Sequence, residues 1–385
     1  MKKSKITKDI IDRLPSPCWL LEEEHLLHNL EIAGEIKKRS GVKILLALKG
    51  FALWKESSTV MQYLDGCCAS GLHEAILARE EYGGEVHTYS PGYREQDIKE
   101  IASISDHVVF NSPRQLDTHI DRVKRINPDL STGLRVNPEF SEAPAELYNP
   151  CAPFSRLGTP SGHMNAEIAR RVDGLHFHAL CEQDSSALER LVEIFSDRFG
   201  KYLSHMRWVN FGGGHLFSRE GYDIDKLISI LNDFKRVYPH LQIYMEPGEA
   251  IGWETGVLAA TVLDIVHNGM DIAILDTSAE AHMPDTVIMP YRAEVRGAGA
   301  AGEKRYTYRL AGNTCLAGDI MGDYSFDRAL QIGDRIIFED QMHYTMVKAT
   351  TFNGIPLPSI AILRQNGDID ILRDFEYMDF KSRLC

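Results

Sequence analysis

The chain is short of several things, and each shortage removes a class of explanation. It has no surplus of basic residues: 42 Lys and Arg stand against 55 Asp and Glu, a formal charge of -13. That balance argues against a general nucleic-acid binder and favours the approach of cationic ligands. Only seven of its 385 residues are cysteine, at 18, 67, 68, 151, 181, 315 and 385, an odd set with neither a CxxC pair nor even spacing. Neither a disulfide framework nor a zinc finger is indicated, and reduced thiols in a cytosol fit this usage. No stretch approaches the roughly 18 consecutive apolar residues that a membrane span needs. The N-terminal MKKSKITKDIIDRLPSP has no apolar h-region before Pro15, so no secretory signal is read there. Internal repeats and low-complexity segments are also missing. The expectation is a soluble, cytoplasmic protein.

What is present is ordinary globular composition, 44% hydrophobic and 25% charged, over a length that suits one large α/β barrel with a smaller companion. From residue 26 to 260, short apolar runs alternate with longer amphipathic ones, the pattern of repeated βα units around a parallel sheet. The runs KILLALK (43), EVHTYS (85), HVVFNS (107), STGLRVN (131), GLHFHAL (174), RWVNFGG (207) and QIYMEPG (242) read as strands. A weaker one near DGCCAS (65) brings the number to eight, which predicts closure into a (β/α)8 barrel. Segments such as 70–83, 94–104, 185–203 and 223–238 read as helices. From 261 onward the runs are short, β-rich and punctuated by Gly, Asn and Asp; YRAEVRGA, KRYTYRLAG, DRIIFED, YTMVKATTF and SIAILRQ are examples. A mostly β second domain is expected from 261–385 together with 1–25, where SPCWLLEEEHL reads as a strand leading into a helix.

Reactive groups of βα barrels sit at the C-terminal ends of the strands. Lys49 follows KILLAL there, and an ammonium in such an apolar run is costly unless it reaches water, is paired or is used chemically. HFH places His176 and His178 on one side of a strand, because side chains alternate with period two. FGGGH supplies Gly212, Gly213 and Gly214, whose uncovered backbone suits either a tight turn or an anion. MEPGEA carries Glu246 and Glu249 on a Pro-Gly turn. In the β domain, LAGNTCLAGDIMGDYSFD is a glycine-rich polar loop bearing Cys315, Asp319 and Asp323.

Two chemistries combine these parts. In one, Lys49 is a Schiff-base amine, the glycine run a phosphate cradle, a histidine a stacking ring and Glu246 the partner of a pyridinium nitrogen, which are the needs of pyridoxal phosphate. In the other, His176, His178 and Lys49 hold zinc in a metal-dependent barrel hydrolase. The second leaves the glycine run and Cys315 unused.

The stretches LLALKGFA, GLHFHALCEQ, WVNFGGGH, MEPGEAIGW, DTSAEAHMPDTVIMPY, GNTCLAGDIMGDYSFD and MHYTMVKATTFNGI occur in order over nearly the whole chain. Together they resemble the pyridoxal-phosphate decarboxylases of the alanine-racemase-like fold, related to ornithine and diaminopimelate decarboxylases. EPGEA and EAHMPDTVIMPY are most similar to the branch acting on carboxynorspermidine and carboxyspermidine. The resemblance implies pyridoxal phosphate and no metal, with Lys49 binding the cofactor covalently and His178 stacking on its ring. It further implies phosphate contacts from Gly213, Gly214 and Tyr344, Glu246 on the pyridine nitrogen, and Arg135 nearby. Cys315, with Asp319 beside it, would return a proton after CO2 leaves, reaching in from the neighbouring subunit of a homodimer.

The chain departs from the related amino-acid decarboxylases at two places. Their EPGR is EPGE here, ending in Glu249, and the acidic residue after their cysteine is Leu316. A carboxypolyamine has two cationic centres beyond its amino-acid head, and ionised carboxylates are the partners that suit them. Glu249 and Asp285 are the expected contacts, with Asp276 and Glu280 behind them. The rival readings are a decarboxylase of another basic amino acid (diaminopimelate, ornithine or arginine), a racemase, a non-catalytic pyridoxal-phosphate carrier, or the metal hydrolase.

Overall fold

The alternation of apolar and amphipathic segments folds as eight parallel strands: Lys43–Ala47, Gly66–Ala69, Glu85–Tyr89, His107–Phe110, Ser131–Asn137, Gly174–His176, Trp208–Asn210 and Gln242–Met245. Each pairs with the next, and the last closes on the first through Tyr244–Lys43 and Met245–Ile44. This is the expected (β/α)8 barrel, including the weak strand at Gly66. A computed structural model of the chain describes residues 4–289 and 291–385. The first three residues of the N-terminal stretch and Pro290, the second proline of EAHMPDTVIMPY, lie outside the described residues.

The strands read as near-continuous apolar runs because both of their faces are buried. Between them run the helices Glu95–Ile104, Ser185–Phe199 and Ile224–Val237, and the helix Leu72–Leu77 continues into a wider turn over Ala78–Tyr82. A helix not named from the sequence, Pro113–Ile126, starts where Ser112 accepts the Gln115 N–H and proline takes the first helical position, a start that needs no long apolar face. Leu45, Val109, Trp208 and Tyr244, from four strands, form one buried cluster. Trp208 fits because its neighbours Gly133 and Gly174 have no side chain; a Cβ on either would collide with the indole.

Two units divide the chain: Asn29–Ile251, which contains the barrel, and a second made of the segment up to His28 together with Gly252–Cys385. Among the described residues, the second unit holds a nine-stranded sheet. Its Cys18–Glu22 strand runs antiparallel to Gly256–His267 and parallel to Ser359–Leu363. The boundary expected at 260 falls inside the strand Gly256–His267, which pairs with Cys18–Leu21, Arg335–Glu339 and Asp271–Leu275 along its length. Ladder pairing holds that whole strand in the sheet, so the division comes before it. Two runs expected as β-rich also differ. Residues 344–352 begin with a turn of helix, Tyr344–Lys348, and the YRAEVRGA run contributes only an isolated bridge at Val295. Apolar runs this short take their form from the neighbours available to pair with them. Among the described residues, no helix is long and apolar enough to cross a membrane.

A polar group closes the amino-terminal part of the barrel. Glu85 pairs with Lys43 and accepts from the Tyr244 hydroxyl at 3.0 Å, and the His87 Nε2 lies 3.0 Å from the same carboxylate. The His87 and His107 rings stack with centroids 3.8 Å apart and planes at 10°. Ligand atoms of Glu85, His87 and His107 lie within 4.8 Å of one another, but stacked imidazoles aim their lone pairs along parallel planes instead of at one point. Burial would raise the Glu85 carboxyl; His87 and Lys43 outweigh it and lower it to about 2. A carboxyl so depressed stabilises the fold fully above its unfolded value, near 4.5, and loses that contribution as pH falls through 2. Glu85→Gln is therefore expected to cost about 1.5–3 kcal/mol at pH 7, the range for hydrogen bonds to a charged group. Urea unfolding at stepped pH should show the difference from the parent closing as pH approaches 2. A difference independent of pH would contradict the assignment.

Candidate active site

The carboxyl ends of the strands are held together by backbone contacts. Past Lys43–Ala47 the chain turns sharply, with the Gly50 and Phe51 N–H groups both donating to Ala47 O, at 2.9 and 3.2 Å. Lys49 sits on this turn and is exposed. The turn is docked on the EPGE segment: Ala47 N–H donates to Pro247 O at 2.9 Å, and Gly50 faces Gly248 so closely that a Cβ at Gly50 would stand 2.9 Å from the Gly248 Cα. On the far side of that segment Glu246 N–H donates to Gly212 O at 2.8 Å. Asn210, buried at the end of its strand, bridges the two: its Oδ1 accepts the Gly212 N–H at 2.8 Å and its Nδ2 donates to Glu246 Oε1 at 2.6 Å. Gly212 and Gly214 have φ of +68° and +87°, a region open to glycine at little cost.

Three further side chains complete this lip. His178 Nδ1 lies 3.1 Å from Gly213 N and 3.0 Å from Gly213 O, so an N–H expected to face an anion here sets the imidazole. Buried Arg135 donates to His178 O at 3.2 Å and lies 4.7 Å over the Tyr89 ring. His176 Nε2 is 3.4 Å from Glu246 Oε2. Burial, then the charges of Lys49 and Arg135, push His178 well below the ordinary imidazole value, so it is a neutral flat ring at neutral pH. Burial would raise the Glu246 carboxyl, but the His176 ring and the Asn210 amide reverse this and hold it below the usual carboxylate range. Glu249 follows on the short helix Glu249–Gly252. Burial, Glu182 and Glu249 raise the Cys181 thiol to about 11 while Lys49 opposes them, which places Cys181 in the field of both Glu249 and Lys49. The arrangement thus presents an exposed amine, a neutral ring and a shielded anion along one rim.

The remaining expected residues lie in the second unit. Asp319, expected beside Cys315, is buried, and both of its oxygens accept hydrogen bonds within the chain. Oδ1 accepts from Ser278 Oγ, Ala279 N and Glu280 N at 3.0, 2.7 and 3.4 Å, and Oδ2 from Thr314 N and Oγ1 at 3.2 and 2.6 Å. It ties the cysteine loop to residues 278–280, and Gly312 is glycine because a Cβ there would collide with this carboxylate. Asp276 is likewise engaged: its Oδ1 accepts the Thr261 N–H at 2.8 Å in the sheet. Cys315 is exposed, its N–H donating to Asn353 Oδ1 at 2.7 Å. Asp285 is ion-paired with Lys348, and Tyr344, half-buried, begins the same short helix as Lys348. Glu280 keeps a buried oxygen, Oε2, without a hydrogen-bond partner; burial, then Asp319, raises its carboxyl.

Lys49, Arg135, His178, Gly213, Gly214, Glu246 and Glu249 therefore share the barrel lip. Cys315, Asp319 and Glu280 share a loop cluster in the second unit. Reading the sequence missed Asn210, Tyr89 and Lys348. Asn210 carried a usable signal, a carboxamide ending a buried strand two residues before a glycine, where such side chains turn back on the backbone.

A barrel lip with this amine, ring and anion, joined in one chain to a mixed sheet, defines a class. The chain belongs to the pyridoxal-dependent decarboxylases, carboxy-lyases whose cofactor is pyridoxal phosphate; the family model described as "Pyridoxal-dependent decarboxylase, C-terminal sheet domain" matches residues 24–341. It is 48% identical to a carboxynorspermidine/carboxyspermidine decarboxylase of Campylobacter jejuni, over 97% of this chain and 99% of that protein. It is 46% identical to a carboxyaminopropylagmatine decarboxylase of Synechocystis, over 97% and 96%. The crystal structure of the Campylobacter jejuni carboxynorspermidine decarboxylase complexed with norspermidine superposes with a TM-score of 0.88 at 46% identity, covering 96% of this chain and 100% of that one. Helicobacter pylori diaminopimelate decarboxylase, at 15% identity and a TM-score of 0.80, shares the fold.

The lip fits the cofactor by its donor set: an amine for an aldehyde carbon, a neutral ring for stacking and an ionised carboxylate for a ring nitrogen. The second unit's contribution depends on Asp319 keeping the cysteine loop in place. Asp319→Ala leaves the buried donors around it unpaired and should destabilise the protein by about 1–3 kcal/mol. A lowered urea midpoint, with faster labelling of Cys315 by a thiol reagent, is the expected result. Unchanged stability and labelling would contradict it.

Proposed function

We propose that this chain decarboxylates carboxynorspermidine and carboxyspermidine to norspermidine and spermidine, working in the cytoplasm as a homodimer with pyridoxal phosphate on the barrel lip. The observation that carries the reading is Lys49 exposed on the same rim as the shielded anion Glu246, in a chain whose 48% identical relative is named for these substrates. When bound, pyridoxal phosphate supplies an electron sink for the pair left as CO2 departs.

The chain's own residues have separate tasks. Lys49 offers the amine that anchors the cofactor, and the substrate's amine takes over that place. Glu246 presents a fixed negative charge to the ring nitrogen, and His178 a flat neutral surface to the ring. The turn at Gly213 and Gly214 would face the phosphate, and Tyr344 would add a hydroxyl to it. Arg135, behind His178, fixes that residue's carbonyl. The Cys315 thiol, on the loop of a second copy of the chain, holds the proton that replaces the carboxylate on the substrate carbon. Asp319 serves by holding that loop.

For the distal amines, Asp285, Glu280 and Glu249 are the proposed partners. Asp285 already takes the alkylammonium of Lys348, and a substrate ammonium can replace it like for like. A guanidinium, the end group of an agmatine derivative, is a planar fork better matched by two parallel acceptors, so the lysine-like pairing favours a terminal amine.

Two tests follow. CO2 release should be measured on carboxynorspermidine, carboxyspermidine, carboxyaminopropylagmatine, diaminopimelate, ornithine and arginine. One of the first two should lead the others in kcat/KM by at least about tenfold, which corresponds to 1.4 kcal/mol. A leading rate on any of the last four would overturn the assignment. Lys49→Ala should keep its far-UV spectrum and lose both cofactor absorbance and turnover. Cys315→Ala should keep the absorbance while kcat falls by about 10²–10⁴, the usual share of a positioned proton donor. Unchanged turnover in either variant would sink the role given to that residue.

A further inference from the structure

The HFH motif holds two imidazoles, and the proposed function uses only His178. His176 is not idle packing. It is buried, at 2% exposure, and neither of its ring nitrogens has a hydrogen-bond partner of its own, an expensive state for a polar ring. What it does face is Glu246, with Nε2 3.4 Å from Oε2. Glu246's other oxygen, Oε1, is already taken by the Asn210 amide at 2.6 Å. The carboxylate is therefore flanked on both oxygens by buried side chains, one from the adjacent strand Trp208–Asn210 and one from the next strand beyond it, Gly174–His176.

His176 is itself confined. The Tyr89 ring lies 5.5 Å from it at 57°, the Tyr89 hydroxyl donates to Asn111 Oδ1 at 2.8 Å, and the Arg135 guanidinium lies 4.7 Å over the Tyr89 ring. Phe177 between the histidines belongs to a different layer, against Phe195 and Phe211. Period-two alternation thus sends both histidines of the motif to the same side of the strand, one at the level of Glu246 and one at the rim.

We propose that His176 is a positioning residue for the cofactor's ring nitrogen: with Asn210 it fixes the orientation of the Glu246 carboxylate and stabilises its negative charge. His176 touches neither cofactor nor substrate in this scheme; it acts through Glu246. The inference rests on the proposed pairing of Glu246 with the ring nitrogen, and it assigns a task to a residue that the pairing alone leaves unused.

The test is a binding measurement on the full chain freed of cofactor. Affinity is titrated by absorbance for pyridoxal phosphate and for its analogue with CH in place of the ring nitrogen. The parent should prefer the natural cofactor, and His176→Phe, which keeps a flat ring, should shrink that preference at least about tenfold, or 1.4 kcal/mol. Affinity for the analogue should stay within a few-fold. In a Glu246→Gln background, His176→Phe should change the preference no further. If His176→Phe does not fold, His176→Asn is read by the same ratio.

A structural role would weaken both ligands together and leave the ratio unmoved, which overturns the proposal; so does an unchanged pair of affinities, or a further loss in the Glu246→Gln background. If the parent itself shows no preference, the Glu246 pairing fails, and that failure is distinct from a parent that discriminates as well as its His176 variants.

Discussion

The architecture of the barrel lip turns on one constraint: a carboxylate must remain ionised where water is largely kept from it. Burying such a charge costs several kcal/mol unless hydrogen bonds or opposite charges replace the lost solvent. Glu246 meets the condition with an amide on one oxygen and an imidazole at the other. The Asn210 amide that supplies the first contact also holds the Gly212 N–H. The rotamer of one glutamate and the path of the glycine run are thus set by the same side chain.

The rest of the lip is arranged around that anion by close backbone approach. Glycine at 50 and 248 lets the lysine turn settle on the EPGE turn, and Pro247 O holds the strand end from which Lys49 departs. The amine and the anion therefore belong to adjoining turns with little slack. His178 sits across from them, kept neutral by burial and by the two cations near it. An anion, a cation and a neutral ring on rigid strand ends form a preorganised environment, which is how a protein tunes a cofactor whose chemistry is its own.

Much of this was legible in the sequence, for reasons that also explain what was not. Most of the eight strands stood out because two-sided burial makes them largely apolar, and Lys49, His178 and Glu246 because each interrupts or ends such a run. Asn210 and Tyr89 did not stand out, since a single polar or aromatic residue in a strand acquires meaning only from which strand lies next to it. The hydrogen bonds of Asp319 were hidden for a related reason. Nearness to Cys315 along the chain said nothing of direction, and its carboxylate turns inward to Ser278, Ala279 and Thr314. The Lys348 partner of Asp285 lies 63 residues away, beyond any local pattern. The two units divide at Gly252, a few residues before the expected edge at 260.

The claim on which the account depends is that Lys49 and Glu246 hold the two ends of one cofactor, its aldehyde carbon and its ring nitrogen. The most direct measurement reduces the pyridoxal-phosphate-loaded protein with borohydride, digests it and maps the modified lysine by mass spectrometry. The account predicts a phosphopyridoxyl group on the Lys49 peptide and on no other lysine. Modification at another lysine, or none at all in a protein that still turns over, would contradict it.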